Sequence, residues 1–226
     1  MSMEYRWNFG FLWDNAGFIL TGLGNTFMLA GLCMALGLLA GSVLTLMRIG
    51  RLMPLRLLAA GFVGLFRNTP PLVQLLWLYY ALPMLTGAQL TSFMAALVAF
   101  SLYLAAYLSE IFRSGIAGVD RGQWEAASAI GMRWWGQLRY IIVPQMLPRM
   151  LPALVSQSID AVKLTSIAAL LPYMEFVYNV KIVADQNYRP LEAYSALAIG
   201  FALILIPLVL AAGWLERRVA GGPAGR

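Results

Sequence analysis

Residues Gln123–Pro148 read QWEAASAIGMRWWGQLRYIIVPQMLP. This is the longest polar interruption in an otherwise apolar chain. It contains Arg133 and Arg139 and is bracketed by Arg121 and Arg149. Within it, Glu125-Ala126-Ala127 is followed after three residues by Gly131, and after nine more by Ile141 and then Pro144. Trp124 to Ile130 holds Glu, Ala and Ser with no breaker, so a short helix is expected there. Gly131 suits the left-handed turn that ends a helix. Glu125 near the helix start can cap amides or meet a basic partner. Ala126 and Ala127 give a close-packing face, and Trp134 and Trp135 suit a membrane interface.

The chain around this stretch is made for lipid. Of 226 residues, 61% are hydrophobic and only 12% charged, with a mean hydropathy of +0.73. A soluble domain is nearer a quarter charged, and this much apolar surface needs a bilayer as part of its solvent. The net charge of +6 is read from where the charges lie and not as a nucleic-acid signal. With no His and the single Cys33 inside an apolar run, no metal site and no disulfide are expected. Glu4 and Asp14 precede a first apolar run too long for a secretory leader, so that run reads as a membrane anchor.

Five spans follow. Ala16 to Met47 is 32 residues without a charge, enough for one span with a lead-in. Gly37 and Gly41 form a GxxxG on it, extended by Gly31 and Ala35, a row that lets helices approach closely. Leu57–Phe66 and Leu72–Leu82 are each too short to cross. Joined, they make a second span, kinked near Pro70. The third runs from about Ser92 to Phe112 and carries Glu110 near its end, where pairing with an arginine is expected. The fourth opens at Pro148 and Pro152, carries Asp160, Lys163, Thr165 and Ser166, and exits into a polar loop after Pro172. Ala193–Leu215 is the fifth, 23 residues without a charge. The segments after spans one, three and five hold eleven of the sixteen basic residues. The positive-inside rule then puts the N-terminus outside, with the 120–148 loop and the C-terminus in the cytoplasm. The expected divisions are 1–15 outside, 16–218 transmembrane, and a tail over 219–226.

No ATP-binding loop is present. The only lysines, Lys163 and Lys181, are followed by Leu and Ile, whereas a phosphate-cradling loop needs Lys followed by Ser or Thr. An ATP-driven system would need ATP and magnesium on another chain, with no cofactor bound here.

The Glu125-to-Pro144 spacing resembles the EAA loop of bacterial ABC importer permeases, with Val143 in the usual Leu place. Phe66-Arg67-Asn68-Thr69-Pro70-Pro71, Tyr107-Leu-Ser-Glu110, Lys163-Leu-Thr165-Ser166 and Trp214-Leu-Glu-Arg-Arg218 resemble the polar amino acid branch of that family. The resemblance covers about Thr21 to Val219. It implies an all-α polytopic bundle of the type I importer permease fold in the bacterial inner membrane, working as a homo- or heterodimer. It further implies two ABC ATPase subunits docked on Glu125, Ala126, Ala127, Gly131, Ile141 and Pro144, and an extracytoplasmic amino-acid-binding protein. That protein would dock over Pro83–Thr91 and Val177–Glu192. The chain itself would be no enzyme.

Residues expected along a substrate path are Arg67, Thr69, Gln74, Asp160, Lys163, Thr165 and Ser166, because polar groups at membrane depth mark pairing or function. Arg67 either holds an adjacent helix or touches substrate. Asp160 and Lys163, three apart, can neutralise each other, and Thr165 and Ser166 can bond backbone one turn back. Gln74 is expected to face a pore. Asn68 stands where the family has Gly, and Leu164 where it has Asp. The latter leans the expected solute toward an acidic or neutral amino acid. The rival reading is an ATP-independent secondary transporter or channel. Its internal repeats are not visible.

Overall fold

The computed structural model describes residues 5–220 and, among them, no strand. Four helices are long and apolar enough to cross a membrane: 16–49, 92–117, 134–170 and 190–214. A short helix α1 (Gly10–Asp14) leads into α2 (Ala16–Ile49). The expected second span is divided into α3 (Met53–Asn68) and a composite helix over 71–86. The latter is α4 (Pro71–Leu76), a π segment (Trp77–Ala81) and α5 (Leu82–Thr86). Pro70 and Pro71 remove two consecutive N–H donors, which is why the helix stops at Asn68 and restarts. The third span is α6 (Ser92–Ala117), N-capped by the Thr91 side chain on Met94 N at 3.2 Å.

The fourth span starts earlier than its prolines suggest. After α7 (Arg121–Ala129) the chain turns and re-enters helix at α8 (Trp134–Gln137). It continues through a second π segment (Leu138–Ile142), α9 (Val143–Thr165) and a 3₁₀ turn (Ser166–Leu170). Pro148 and Pro152 therefore lie inside a helix and do not open it. Both π segments end two residues before a proline, Pro83 and Pro144. The carbonyls one turn back from these rings, those of Tyr79 and Tyr140, lie within the π turns. Widening the turn there relieves the clash that a proline ring makes in a regular α-helix.

The polar loop expected after Pro172 is largely a helix, α10 (Phe176–Asn187), followed by α11 (Pro190–Ala220). Its buried face, with Val180, Val183 and Ala184, packs with Phe11, Phe176 and Ala193. Residues 1–4 and 221–226 lie outside the described residues, so the expected tail is described only to Ala220.

Helices α2 and α6 form the centre of the bundle. Gly37, Gly41 and Thr45 lie buried along one row. A Cβ added at Gly37 would stand 2.9 Å from Leu104 Cβ, and one at Gly41 would stand 3.0 Å from Ala105 O. Gly31 and Ala35 are exposed on another face, so the close-packing row runs through Gly37, Gly41 and Thr45. Leu29, Leu75, Phe100, Leu104, Leu108 and Val162 fill the core between α2, α4, α6 and α9.

The candidate coupling surface and a polar track beside it

Helix α7 begins at Asp120, whose side chain accepts from Gly122 N at 2.6 Å. The cap is thus Asp120, whereas Glu125 stands exposed in mid-helix. The helix ends at Gly131 with φ +79°. Gly131 N donates to Ser128 O at 3.0 Å and Met132 N to Ala127 O at 3.1 Å, the paired bonds of a Schellman turn. Ala127 is buried and Ala126 exposed, so the two alanines do not share one close-packing face.

Ile141 and Pro144 sit on the long helix that follows and not on α7. There Ile141 packs against the buried cluster of Val119, Leu138, Ile142, Met146 and Met150. Gln137 fastens α7 to that helix. Its Nε2 donates to Ser128 Oγ at 3.0 Å and to Met132 O at 2.8 Å. Gln145 Nε2 donates to Gln123 Oε1 at 3.3 Å, and Arg149 donates to Gly118 O. These bonds connect α7 and the end of α6 to the fourth span. Gln137, Gln145 and Arg149 were not singled out from sequence. A lone glutamine in the run leading into an apolar helix is the one signal that could have found Gln137.

The expected path residues separate into three groups. Gln74 and Thr69 belong to the helix break. Gln74 Nε2 donates to Phe66 O at 2.9 Å and Thr69 O at 3.1 Å, supplying donors that the two prolines lack. The Thr69 hydroxyl donates to Leu65 O, and Asn68 Nδ2 to Gly64 O at 2.7 Å. Thr165 and Ser166 hydroxyls donate three residues back, to Val162 O and Lys163 O, both at 2.7 Å. Lys163 Nζ meets Asp160 Oδ1 at 3.1 Å on an exposed face.

Arg67 lies in the third group, around Glu110. Arg48 Nη1 donates to Glu110 Oε1 at 2.7 Å. Arg113 Nε and Nη2 donate to Oε2 at 3.0 and 2.8 Å. Arg67 Nη1 stands 3.5 Å from Oε1, with its guanidinium carbon 5.3 Å from the centre of the Tyr107 ring. Tyr107 and Tyr103 have ring centroids 4.7 Å apart. A track of polar groups thus runs along α6 from Tyr103 and Tyr107 to Arg67 and Glu110. Tyr103 and Tyr107, which stand beside Arg67, were given no role from sequence because aromatics in a span read first as packing or interface groups.

At the other end of the bundle, Glu175 is fully buried and caps α10 through Tyr178 N at 2.6 Å. Asn179 Nδ2 donates to Phe18 O at 2.7 Å and Asn25 Nδ2 to Met174 O at 2.7 Å. Burial pushes the Glu175 carboxyl from about 4.5 up to about 7. Among the described residues no group of three or more His, Cys, Asp or Glu could hold a metal ion.

Four helices long and apolar enough to cross a membrane, with the short α7 fastened to one of them by Gln137, are the frame of a membrane transport component, and the chain belongs to such a family. Residues 34–221 match the family of binding-protein-dependent transport system inner membrane components. Among relatives, it is 32% identical to the probable amino-acid ABC transporter permease protein YckA of Bacillus subtilis over 96% of both chains. It is 32% identical to the arginine transport system permease protein ArtQ of the same organism, over 89% of this chain and 92% of that one. A crystal structure of an amino acid ABC transporter with histidines superposes with a TM-score of 0.88 at 30% identity, covering 95% of this chain and 100% of that one. The methionine ABC transporter MetNI shares the fold, with a TM-score of 0.73 at 17% identity over 91% and 98% of the two chains.

Proposed function

We propose that this chain is the permease subunit of an ATP-driven amino acid importer in a bacterial inner membrane. The observation that carries the reading is α7. It is exposed along Glu125 and Ala126, closed by the left-handed Gly131, and fastened to the fourth span by Gln137. Relatives whose names include amino-acid, glutamine and arginine transport support the solute class.

In this mechanism ATP with magnesium binds on separate ATPase subunits that dock at α7. Their closure pushes α7, and Gln137, Gln145 and Arg149 carry the push into α9. The bundle, paired with a second permease chain, then alternates its opening across the bilayer. An extracytoplasmic binding protein delivers the solute at the end where α10 lies, opposite α7. The exposed residues on offer there are Lys181, Asp185, Gln186 and Tyr188. The arginine distribution supports α7 and the C-terminus being cytoplasmic. The chain moves a solute and makes or breaks no bond of its own. A solute with an acidic or neutral side chain is expected, and uptake assays in which arginine is the preferred solute would sink that expectation.

The test is co-purification with the ATPase subunits encoded beside it. Wild type retains them in detergent, and Glu125→Arg loses them while the permease alone keeps its melting temperature. Retention of the ATPase by that variant would remove α7 as the docking site.

A further inference from the structure

Arg67 stands beside Glu110 with unspent donors. Arg48 and Arg113 occupy both carboxylate oxygens at hydrogen-bonding distance. Arg67 Nη1 is at 3.5 Å, near enough for attraction and too far for a good hydrogen bond. Its remaining contact is the face of Tyr107. A guanidinium carries five N–H donors in a fixed fork. Among the described residues, none of those of Arg67 makes a hydrogen bond.

The surroundings favour an anion. A cavity of about 360 Å³ is lined by Arg48, Arg67, Asn68, Tyr107, Glu110 and Gly64, among others. Three guanidiniums face one carboxylate. The Asn68 amide is spent on Gly64 O. The next charged pair, Asp160 and Lys163, is self-neutralising at 3.1 Å. Two positive charges are left over around the Glu110 carboxylate. The arginine fork matches a carboxylate bidentately, and a cavity of this size is of the order that holds a small molecule.

We infer that Arg67 takes the carboxylate of the transported amino acid in this cavity, with Glu110 and Tyr107 as the positioning residues that hold the fork in place. The inference rests on the amino-acid reading and adds the chemical group recognised and the residue that recognises it.

The test uses the full-length permease in detergent with Gly64→Cys. Gly64 lines the cavity, and a Cβ there meets nothing within 4 Å. The native Cys33 is 1% exposed and stays silent in the fold. The rate of alkylation by a small maleimide is measured against rising concentrations of glutamine and glutamate. 4-Aminobutanamide, which is glutamine without its carboxylate, is the control. We expect the amino acids to slow labelling and 4-aminobutanamide not to. Arg67→Gln raises the half-protecting concentration at least tenfold, Arg67→Lys less, and Tyr107→Leu falls between. The comparison of glutamine with 4-aminobutanamide needs no change at Arg67, so it stands even if Arg67→Gln fails to fold. Equal protection by glutamine and 4-aminobutanamide, unchanged protection in a folded Arg67→Gln, or protection by phosphatidylglycerol alone overturns the assignment. ATP-driven uptake by the reconstituted wild-type complex is measured alongside. Uptake without carboxylate-dependent protection overturns the Arg67 assignment alone, whereas absence of uptake for every amino acid overturns the import reading beneath it.

Discussion

Substituting Gly41 by Ala tests whether the α2–α6 seam is the mechanical centre of the bundle. The new Cβ would lie 3.0 Å from Ala105 O, 3.0 Å from Leu108 Cβ and 3.2 Å from Ser109 N. Carbon atoms pack best at about 3.5–4.0 Å. The helices must therefore part locally by about 0.5–1 Å, a gap that forfeits roughly a quarter to a half of each neighbouring attraction. The same parting strains the Thr45 hydroxyl bridge, now 3.2 Å from Ser109 O and 3.3 Å from Ser109 Oγ. Overpacking of this kind costs about 1–3 kcal/mol. At about 2–4 °C per kcal/mol for a chain of this size, the melting temperature should fall by roughly 5 °C. The assay is built in. Cys33 is the only cysteine and sits in the same seam with Sγ 3.7 Å from Leu97 O. A fluorogenic thiol dye therefore reports its opening on heating. Gly31→Ala is the control, since nothing lies within 4 Å of that Cβ. Equal midpoints for the two variants would refute the reasoning.

Glu175 makes stability pH-dependent. Its folded value of about 7 lies above the ordinary carboxyl value, so the folded protein holds a proton that the unfolded chain releases. Its contribution is fully present below about pH 4.5 and is lost as pH rises through about 7, a span worth up to about 3 kcal/mol. Glu175→Gln should flatten the melting temperature across that window and raise it above pH 7. Gly131→Ala keeps open space around its Cβ but forces alanine to φ +79°, costing about 1–2 kcal/mol. Hydrogen exchange over 121–132 should speed up while the spans stay protected. Gln74→Leu leaves the Phe66 and Thr69 carbonyls without their side-chain donor, and a drop of about 1–3 kcal/mol in thermal stability is expected. Asp120→Ala removes the α7 cap and should cost about 1 kcal/mol, read as faster proteolysis near Arg121.

Spans one, three and five and the α7 turn were legible because each rests on local signals: charge-free length, the arginines that bound it, and the fixed spacing from Glu125 to Gly131. The second span, expected as one kinked helix, is divided at Pro70 and Pro71. The start of the fourth span was not legible. Pro144, Pro148 and Pro152 read as breakers, and only the π turn over 138–142 and packing against α6 let helix run through them. Helix α10 was read as a loop because Glu175, Lys181 and Asp185 look solvated. The partners that bury its inner face, Phe18, Asn25 and Thr26, lie about 150 residues away, a distance at which sequence pattern carries nothing. The GxxxG was legible as a motif, but its continuation was assigned to Gly31 when it runs to Thr45. The Glu110 pairing was expected with one arginine. Its gathering of Arg48, Arg67 and Arg113 needed the meeting of α2, α3 and α6.

The most direct test of the account is uptake by proteoliposomes holding this permease, its ATPase subunits and the binding protein. The account predicts amino acid accumulation that requires enclosed ATP and is abolished by Glu125→Arg, with the variant permease still folded by Cys33 melting. Solute movement without ATP, or full coupled uptake by Glu125→Arg, would contradict it.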